Sequence, residues 1–552
     1  MDKVMPAGLG TWGRFLTSGV FNTLVTYLLY LALLPRLHYR ISFTIAYASG
    51  IALAYALNRF LVFRQPGGRA GPLLVTLIYL GQYVVNLAIV SVAVRWFHVP
   101  AALAPLCAIV MTVPLTYVLN RRVFGGGRDE PAGLSLTAWM RPWARPVALA
   151  VLVGLPILSL ALNAIAWLRF GFDLPFFDDW RAYESGDVDS LEFTYLFQAL
   201  NDTLTPIGLA LDTLVQRVLD GNSILYQLLS MLFVLGALLV LQWKLLRIAL
   251  GDPLRTAICF VFTLLMLQPG SYWGRENIAY LQALPLVFIL SALWLGVARP
   301  WRDLWNLPAI FVLAVLSGLT YISGAFGAFA AGAGVVVMAL QSRKHAGRMR
   351  TLRAGAALAL GGAVTSAIQL VMAVLPSKGG THAEDKVLAL PHEADFWMFY
   401  LGKVGRSLLL PADSPLVSLA IVALALAGFV AALVLTLRAA RRVENEPARF
   451  LAFSGVFAAV GAMVVTYLAL VAAGRANFRP DDVQAASDVF AFGFQRFHFF
   501  WATLVWPWLV AALMIASERR VPGPTPVSVR RVGAVALGAA VAAMVSLGAL
   551  DH

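Results

Sequence analysis

The sequence predicts an all-α polytopic membrane protein, and three observations support this fold class. Of the 552 residues, 60% are hydrophobic and only 13% are charged, whereas soluble proteins carry about 25% charged residues. The mean hydropathy is +0.78. Fifteen apolar runs are each long enough to cross a hydrocarbon core of about 30 Å as a helix. Soluble enzymes, secreted disulfide scaffolds and disordered chains are therefore excluded.

The fifteen predicted helices form a group of four and a group of eleven. The first group is 15–34, 41–62, 73–96 and 101–120. The second is 146–168, 223–243, 256–272, 277–297, 305–321, 323–341, 354–375, 416–437, 450–473, 497–517 and 532–550. One helix over 305–341 would be about 55 Å long, far more than a bilayer, so a break is predicted at 321–324. The first run lacks a signal-peptide cleavage site and is predicted to remain as a membrane helix.

The charged residues predict the orientation of these helices. With the N-terminus in the cytoplasm, 28 of the 42 Lys and Arg residues lie on the cytoplasmic side, but only 8 of the 28 Asp and Glu residues do. Such an excess of Lys and Arg is typical of cytoplasmic loops. Because this excess also accounts for the net charge of +14, no nucleic-acid partner is predicted. Cys107 and Cys259 lie inside apolar runs and show neither disulfide nor metal-ligand spacing.

The first four helices contain an internal repeat. The sequence Tyr-Ala-Leu-Asn-Arg-Phe-Leu-Val-Phe at 55–63 recurs 62 residues later as Tyr-Val-Leu-Asn-Arg-Arg-Val-Phe at 117–124. Each repeat is a pair of helices, so the two repeats run parallel. One reading is that Asn58-Arg59 and Asn120-Arg121 mark the ends of spans 2 and 4 at the membrane surface, where the Arg side chain extends toward the head groups. The other is that these residues bind an anionic lipid head group at the inner leaflet.

Residues 10–125 resemble the GtrA family. The resemblance rests on the four short spans, the Phe-Asn-Thr at 21–23 and the Asn-Arg-x-x-Phe endings of spans 2 and 4. It implies that this module helps to move polyprenyl-phosphate-linked sugars across the membrane, and its small size is compatible with self-association as a homo-oligomer. A Gly/Pro-rich cytoplasmic linker then predicts a domain boundary. The predicted domains are 1–125, the linker 126–145, and 146–552.

The predicted outer loop 169–222 carries an acidic pair, Asp178 and Asp179, at the point where the chain leaves the membrane. The pair lies among Phe176, Phe177 and Trp180. Aromatic residues at this depth are usually interfacial anchors, yet the cost of holding two adjacent carboxylates there favours a functional role. Apolar residues recur at helical spacing between 190 and 219, which predicts an amphipathic helix on the outer surface.

The second module resembles the GT-C superfamily of integral-membrane glycosyltransferases, in which an acidic residue or pair lies in the first outer loop. Asp178 and Asp179 match that position. The resemblance implies that one of them is a general base, which deprotonates an acceptor hydroxyl as it attacks the anomeric carbon. The leaving group would be a polyprenyl phosphate, and in-line attack would invert the anomeric configuration. The sequence does not distinguish the two aspartates.

A leaving phosphate requires cationic groups, and the other outer loops provide candidates. The candidates for binding the donor phosphate are Arg496, His498, Arg475 and Arg275. Glu276, Asp202 and His382 are further outer-face candidates. No cofactor is firmly predicted. A divalent cation, Mg²⁺ or Mn²⁺, stays open, because His382 and His392 have acids nearby but fit no standard ligand spacing.

The sequence therefore predicts a glycosyltransferase of the bacterial inner membrane with its active site on the periplasmic side. The donor is a polyprenyl-phosphate-linked sugar, and the acceptor is an envelope glycan, a lipid or a protein. The alternative is a non-catalytic flippase or exporter of the same lipid-linked sugar, which would place functional polar residues near the bilayer midplane. A non-catalytic scaffold of an envelope-glycan complex is a third reading.

Overall fold

The computed structural model describes most of the chain between residues 149 and 518. Described are scattered positions between 18 and 57, and then 149–171, 173, 191–197, 199–200, 203–266, 279–298, 302–342, 347–374, 388–410, 412, 414–441, 447–480, 482–495, 498 and 500–518. The chain divides into two compact units, Met1–Leu136 with Gly523–His552, and Thr137–Pro522. The predicted limits of the domains and of the linker stay predictions.

The second unit is built from helices. In chain order they are α1 (Leu155–Phe170), α2 (Phe193–Leu196), α3 (Pro206–Val218), α4 (Ser223–Ser230), α5 (Gly236–Leu250), α6 (Pro253–Met266), α7 (Leu284–Ala298), α8 (Asp303–Thr320), α9 (Ile322–Gln341), α10 (Arg348–Val374), α11 (Ala394–Ser407), α12 (Pro415–Ala440), α13 (Pro447–Arg475), α14 (Ala486–Phe492), α15 (Phe500–Thr503) and α16 (Val505–Glu518). Single π-helical segments at Ala150–Gly154, Met231–Leu235 and Ala279–Ala283 lead into α1, α5 and α7. A 3₁₀ segment, Ala476–Phe478, follows α13.

Seven helical segments within the described ranges are long and apolar enough to cross a membrane. They are Leu152–Phe170, Ser223–Leu250, Asp303–Thr320, Ile322–Gln341, Arg348–Met372, Pro415–Ala440 and Arg449–Phe478. Three shorter apolar helices are Pro253–Leu264, Leu284–Ala298 and Phe500–Ile515. These ten segments fall on ten of the predicted spans, so the multi-pass, predominantly helical class is confirmed. The full predicted number of about fifteen spans stays a prediction.

The predicted break inside 305–341 is confirmed. Helix α8 ends at Thr320, α9 begins at Ile322, and Tyr321 between them has an extended backbone (φ −163°, ψ 155°). The chain passes very close to itself here, because a Cβ atom added to Gly324 would lie 2.1 Å from the carbonyl oxygen of Ser317. Glycine is therefore required at this position, and the sharp junction accommodates two spans where the sequence has almost no loop.

Helix α9 lies at the centre of the unit and packs closely against α10 and α13. A Cβ atom on Gly332 would lie 2.3 Å from the backbone nitrogen of Ala359 in α10, and one on Gly334 would lie 2.8 Å from the carbonyl oxygen of Ala458 in α13. Small residues allow helix backbones in a membrane to approach in this way, since lipid provides no hydrophobic driving force between helices. Together with α13, α9 is the most buried of the seven long spans.

The predicted continuous amphipathic helix over 190–219 is wrong. The segment contains the short helix α2, a two-stranded antiparallel hairpin of β1 (Ala199–Leu200) and β2 (Thr203–Leu204), and then α3. Two local features explain the interruption: the sequence Asn-Asp between the strands favours a two-residue turn, and proline at the first position of α3 starts a new helix. Helix α3 keeps the amphipathic pattern and buries Leu209 and Thr213.

Tertiary hydrogen bonds hold the hairpin in place. The fully buried Gln369 of α10 donates from Nε2 to the carbonyl oxygens of Leu204 (2.7 Å) and of Gly318 in α8 (2.9 Å). The backbone nitrogen of Leu204 donates to Oε1 of Gln369 at 3.0 Å. A glutamine side chain can replace a neighbouring strand in this way, so the backbone groups of β2 are satisfied without a helix.

Candidate functional site

Four basic side chains come together where α11, the end of α13 and the segment before α15 meet. We call Lys403, Arg406, Arg475 and His498 the cationic cluster. Lys403 interacts electrostatically with Arg406 and Arg475, and His498 interacts with Arg475 and Lys403. Lys403 and His498 are buried, and the two arginines are half-buried. Two members, Arg475 and His498, are among the residues that the sequence predicted to bind phosphate.

Helix α11 was not predicted, because it lies between the predicted spans 354–375 and 416–437. Five of its eight buried residues, Phe396, Phe399, Tyr400, Lys403 and Ser407, follow each other at spacings of three, one, three and four, which is one face of a helix. The helix is not one of the apolar spans. A charged residue on an otherwise apolar helix face is the sequence signal that could have indicated both the helix and its site.

Glycines allow α11 to pack directly against α14. A Cβ atom on Gly402 would lie 2.2 Å from the carbonyl oxygen of Phe490, and one on Gly493 would lie 2.7 Å from the carbonyl oxygen of Phe399. The backbones therefore touch at this point. Since Lys403 follows Gly402 directly, the same contact places its side chain beneath the turn that follows α14.

Lys403 is the most deeply buried member of the cluster, with 1% of its surface exposed. Its Nζ atom donates a hydrogen bond to the carbonyl oxygen of Gln495 at 3.0 Å and lies 5.1 Å from the centroid of the Phe399 ring. Burial, reinforced by the positive charges of Arg406 and Arg475, lowers the pKa of Lys403 from 10.5 to about 7. The side chain can therefore exchange a proton near neutral pH.

His498 has an unusual backbone and a buried ring. Its φ angle is +57°, in the left-handed region that residues other than glycine rarely adopt. Such strain is found most often at functional sites. Burial, and then the charges of Arg475 and Lys403, lower the pKa of His498 well below 6.5, which keeps the imidazole neutral. The predicted span 497–517 begins slightly too early, because helix α15 starts at Phe500 and His498 precedes it.

Three contacts fix α11 against the helices around it. Asp395 forms an ion pair with Arg479 at 2.6 Å, with side-chain exposures of 30% and 16%. The backbone nitrogen of Ala389, before α11, donates to the carbonyl oxygen of Ala473 at 3.0 Å. At the other end of the helix, Ser407 Oγ accepts a hydrogen bond from Trp506 Nε1 at 3.1 Å. The cluster is therefore held at both ends by groups that lie outside it.

The beginning and end of the predicted loop 169–222 are joined. Asp173 Oδ1 accepts a hydrogen bond from the backbone nitrogen of Ser223 at 2.7 Å, and Oδ2 accepts one from Asn222 Nδ2 at 3.1 Å. Asp173 thus stabilises the N-terminus of α4, where Asn222 is the N-cap and accepts from the backbone nitrogen of Leu225. This aspartate has a structural role, and the acidic pair follows it by five and six residues.

Most of the predicted site residues lie outside the described residues. They are Asp178, Asp179, Asp202, Arg275, Glu276, His382, Arg496, Asn58, Arg59, Asn120 and Arg121. Neither Lys403 nor Arg406 was among the residues predicted to bind phosphate, although the structure places Lys403 within electrostatic range of Arg406 and Arg475. Within the ranges that the structure describes, no group of three His, Cys, Asp or Glu side chains is arranged to hold a metal ion.

Comparison with known proteins gives one match, in the N-terminal part of the chain. Residues 14–124 match the family described as "GtrA/DPMS, transmembrane domain", as the predicted resemblance of residues 10–125 required. No curated protein and no solved structure matches the chain. The match covers about a fifth of the sequence. It indicates a multi-pass membrane protein whose role is related to polyprenyl-phosphate-linked sugars.

Proposed function

We propose that this protein is a glycosyltransferase of the bacterial inner membrane. It transfers a sugar from a polyprenyl-phosphate-linked donor to an envelope glycan, a lipid or a protein on the periplasmic side. The GtrA/DPMS domain delivers the donor, and the second unit performs the transfer with inversion. The observation that carries the proposal is the cationic cluster, a partly buried group of four basic residues in a chain that begins with a lipid-sugar domain.

The cluster has the properties of a phosphate site. Bringing Lys403, Arg406 and Arg475 together out of water costs free energy, because like charges repel and each loses hydration. An anion offsets that cost, and charge-assisted hydrogen bonds from arginine to phosphate are among the stronger ones that proteins make. In a transfer reaction the same groups stabilise the charge that develops on the departing polyprenyl phosphate.

One member of the acidic pair is the proposed base, and a chain of contacts links its attachment point, Asp173, to the segment that carries His498 of the cluster. Asp173 bonds to the start of α4, the Tyr226 ring of α4 lies 5.6 Å from the Tyr280 ring, and Trp501 Nε1 donates to the carbonyl oxygen of Gln282 at 2.9 Å. Trp501 follows the histidine of the cluster by three residues. Five or six extended residues reach at most about 20 Å, which limits how far the pair can lie from Asp173.

The test is a transfer assay with purified full-length protein, radiolabelled polyprenyl-phosphate sugars and an envelope-glycan acceptor mixture. We compare the wild type with Asp178→Asn, Asp179→Asn and Arg475→Met, with and without EDTA for the divalent cation. Asp220→Asn is the matched control, since Asp220 belongs to the same predicted outer loop and its φ of +52° is one that asparagine also adopts.

The expected result is transfer that disappears in one of the two aspartate variants, falls in Arg475→Met and is unchanged in Asp220→Asn. Full activity in both aspartate variants would overturn the assignment of the base. If no donor is used, while the protein scrambles lipid-linked sugars in proteoliposomes, the non-catalytic flippase or exporter replaces the enzyme. Absence of both activities would favour the scaffold reading.

A further inference from the structure

Lys403 is the member of the cationic cluster whose charge changes near neutral pH. An exposed lysine would stay fully charged there. Arginine stays protonated in proteins at any physiological pH, so Arg406 and Arg475 contribute fixed charges. Lys403 is buried, and it is held between the carbonyl oxygen of Gln495 and the ring of Phe399. It therefore lies within the field of the cluster but is shielded from the water that would normally favour its charged form.

We propose that Lys403 is the proton-exchanging ligand of this site, taking up one proton as a phosphate monoester enters the cluster. The inference rests on the proposed function, because it assumes that the cluster binds phosphate. Before the anion arrives, two arginines repel a third positive charge at Lys403. A phosphate dianion reverses the sign of the local field, so the ammonium form becomes the favoured one.

Other titratable groups lie on α11 itself and on the elements packed against it. On α11, burial raises the pKa of Tyr400 to about 12, and Asp395 is engaged by Arg479. On α14, Asp488 is exposed, and the residue that α13 contributes is Arg475. The segment before α15 contributes His498, whose lowered pKa has been described. Of the shifted pKa values among the described residues, that of Lys403, at about 7, lies in the physiological range.

The proposed proton uptake matches the change of charge in the reaction. The donor is a phosphodiester with one negative charge. As the bond between the anomeric carbon and the phosphate oxygen breaks, the acceptor oxygen bonds to that carbon and its proton passes to the carboxylate base. The leaving polyprenyl phosphate becomes a monoester that carries a second negative charge. A proton that Lys403 takes from solvent neutralises this extra charge inside the site.

Calorimetric titration of the full-length protein in detergent with geranyl monophosphate tests the proposal. The titration is repeated at pH 8 in two buffers with different ionisation enthalpies, which gives the number of protons taken up. At pH 8 a lysine with a pKa of about 7 is about 90% neutral, whereas the second pKa of a phosphate monoester is about 6. The wild type is therefore expected to take up about 0.9 proton, and its Kd is expected to rise about eightfold from pH 7.5 to 8.5.

Two variants distinguish the effect of a positive charge at position 403 from the effect of its titration. Lys403→Arg keeps a positive charge that does not titrate, so it is expected to bind with a Kd that is independent of pH and with almost no proton uptake. Lys403→Met is expected to bind more weakly at pH 7, also without uptake. The matched control is Lys244→Met, since Lys244 also contacts an aromatic ring, with Nζ 4.9 Å from the Trp294 ring, but belongs to α5. It is expected to behave like the wild type.

The outcomes distinguish the inference from the proposed function. Binding without proton uptake in the wild type overturns the inference and leaves the phosphate site intact. Uptake that persists in Lys403→Arg assigns the proton to another group, such as His498, and also overturns it. No binding of geranyl monophosphate by the wild type overturns the phosphate site and the inference together. The elution volume on gel filtration shows whether each variant is folded, and Lys403→Arg decides the question if Lys403→Met does not fold.

Discussion

The glycine contact between α11 and α14 gives a sharp prediction about how the cationic cluster is positioned. In Gly402→Ala, the new Cβ atom would lie 2.2 Å from the carbonyl oxygen of Phe490. Ordinary contacts at such a position begin near 3.4 Å, so the two backbones must separate by about 1 Å. Because both partners are backbone atoms, no side chain can rotate away to relieve the overlap.

The expected cost follows from this geometry. Overpacking a tight contact costs about 1–3 kcal/mol, and here the only relief is movement of α11 itself, which carries Lys403 and Arg406. We therefore expect Gly402→Ala to lower the apparent melting temperature in detergent and to weaken the binding of geranyl monophosphate. A shift of about 1 Å in a positioning element can reduce function by about two orders of magnitude.

Gly428→Ala in α12 is the matched control, because a Cβ atom there meets no atom within 4 Å. Alanine stabilises an exposed helix interior by up to about 1 kcal/mol relative to glycine, so this variant is expected to be as stable as the wild type or slightly more stable. Thermal unfolding is followed by intrinsic tryptophan fluorescence, and binding by calorimetry. The reasoning is refuted if Gly402→Ala matches Gly428→Ala in both measurements.

Three further predictions concern the surroundings of the cluster. Gln369→Leu removes the hydrogen-bond partners of the Leu204 backbone, at about 1–3 kcal/mol. Limited proteolysis is therefore expected to cut near the hairpin in this variant and to spare the wild type. Asp395→Asn, Arg479→Met and their double variant form a thermodynamic cycle, and a coupling energy of about 1 kcal/mol is expected for this pair, whose side chains are 30% and 16% exposed. The absence of coupling would contradict the role of this ion pair in fixing α11. Because the pKa of Lys403 falls from 10.5 in the unfolded chain to about 7 in the folded protein, the unfolded chain binds more protons between these values. The melting temperature without ligand should therefore rise with pH from 7 to 10, and this slope should be absent in Lys403→Met.

Much of the helical framework could be predicted from the sequence because bilayer thickness sets the length of a span. The break at Tyr321 is the clearest case, since a helix over 305–341 would be much longer than a bilayer. Positions of helix ends were less accurate, as at the predicted start of the span at 497, because hydrophobicity continues through the aromatic residues that precede Phe500. The hairpin was missed because Gln369, which satisfies its backbone, is 165 residues away from Leu204 in the chain.

The candidate site was predicted only in part. His498 was proposed because it lies among aromatic residues at the start of a predicted span, and Arg475 because it is a basic residue of the predicted outer loop before that span. Lys403 was overlooked because a lysine in a predicted polar loop is ordinarily solvated, and its burial depends on Gly402 and Gly493, which look unremarkable in a single sequence. Whether a side chain such as Lys403 is buried depends on residues that are distant in the sequence, so it cannot be predicted from the residues next to it.

The joined ends of the loop 169–222 bear on how the sequence between them could vary over evolutionary time. Because Asp173 is hydrogen-bonded to Asn222 and Ser223, the chain between them leaves and returns at one point on the helical framework. The entropic cost of closing a loop grows only slowly with its length. Insertions and deletions between Asp173 and α2 can therefore accumulate without displacing α1 or α4, whereas the hairpin is held by Gln369 of α10. The stretch between Asp173 and α2, which includes the acidic pair, can in this sense change in length while the surrounding helices keep their packing.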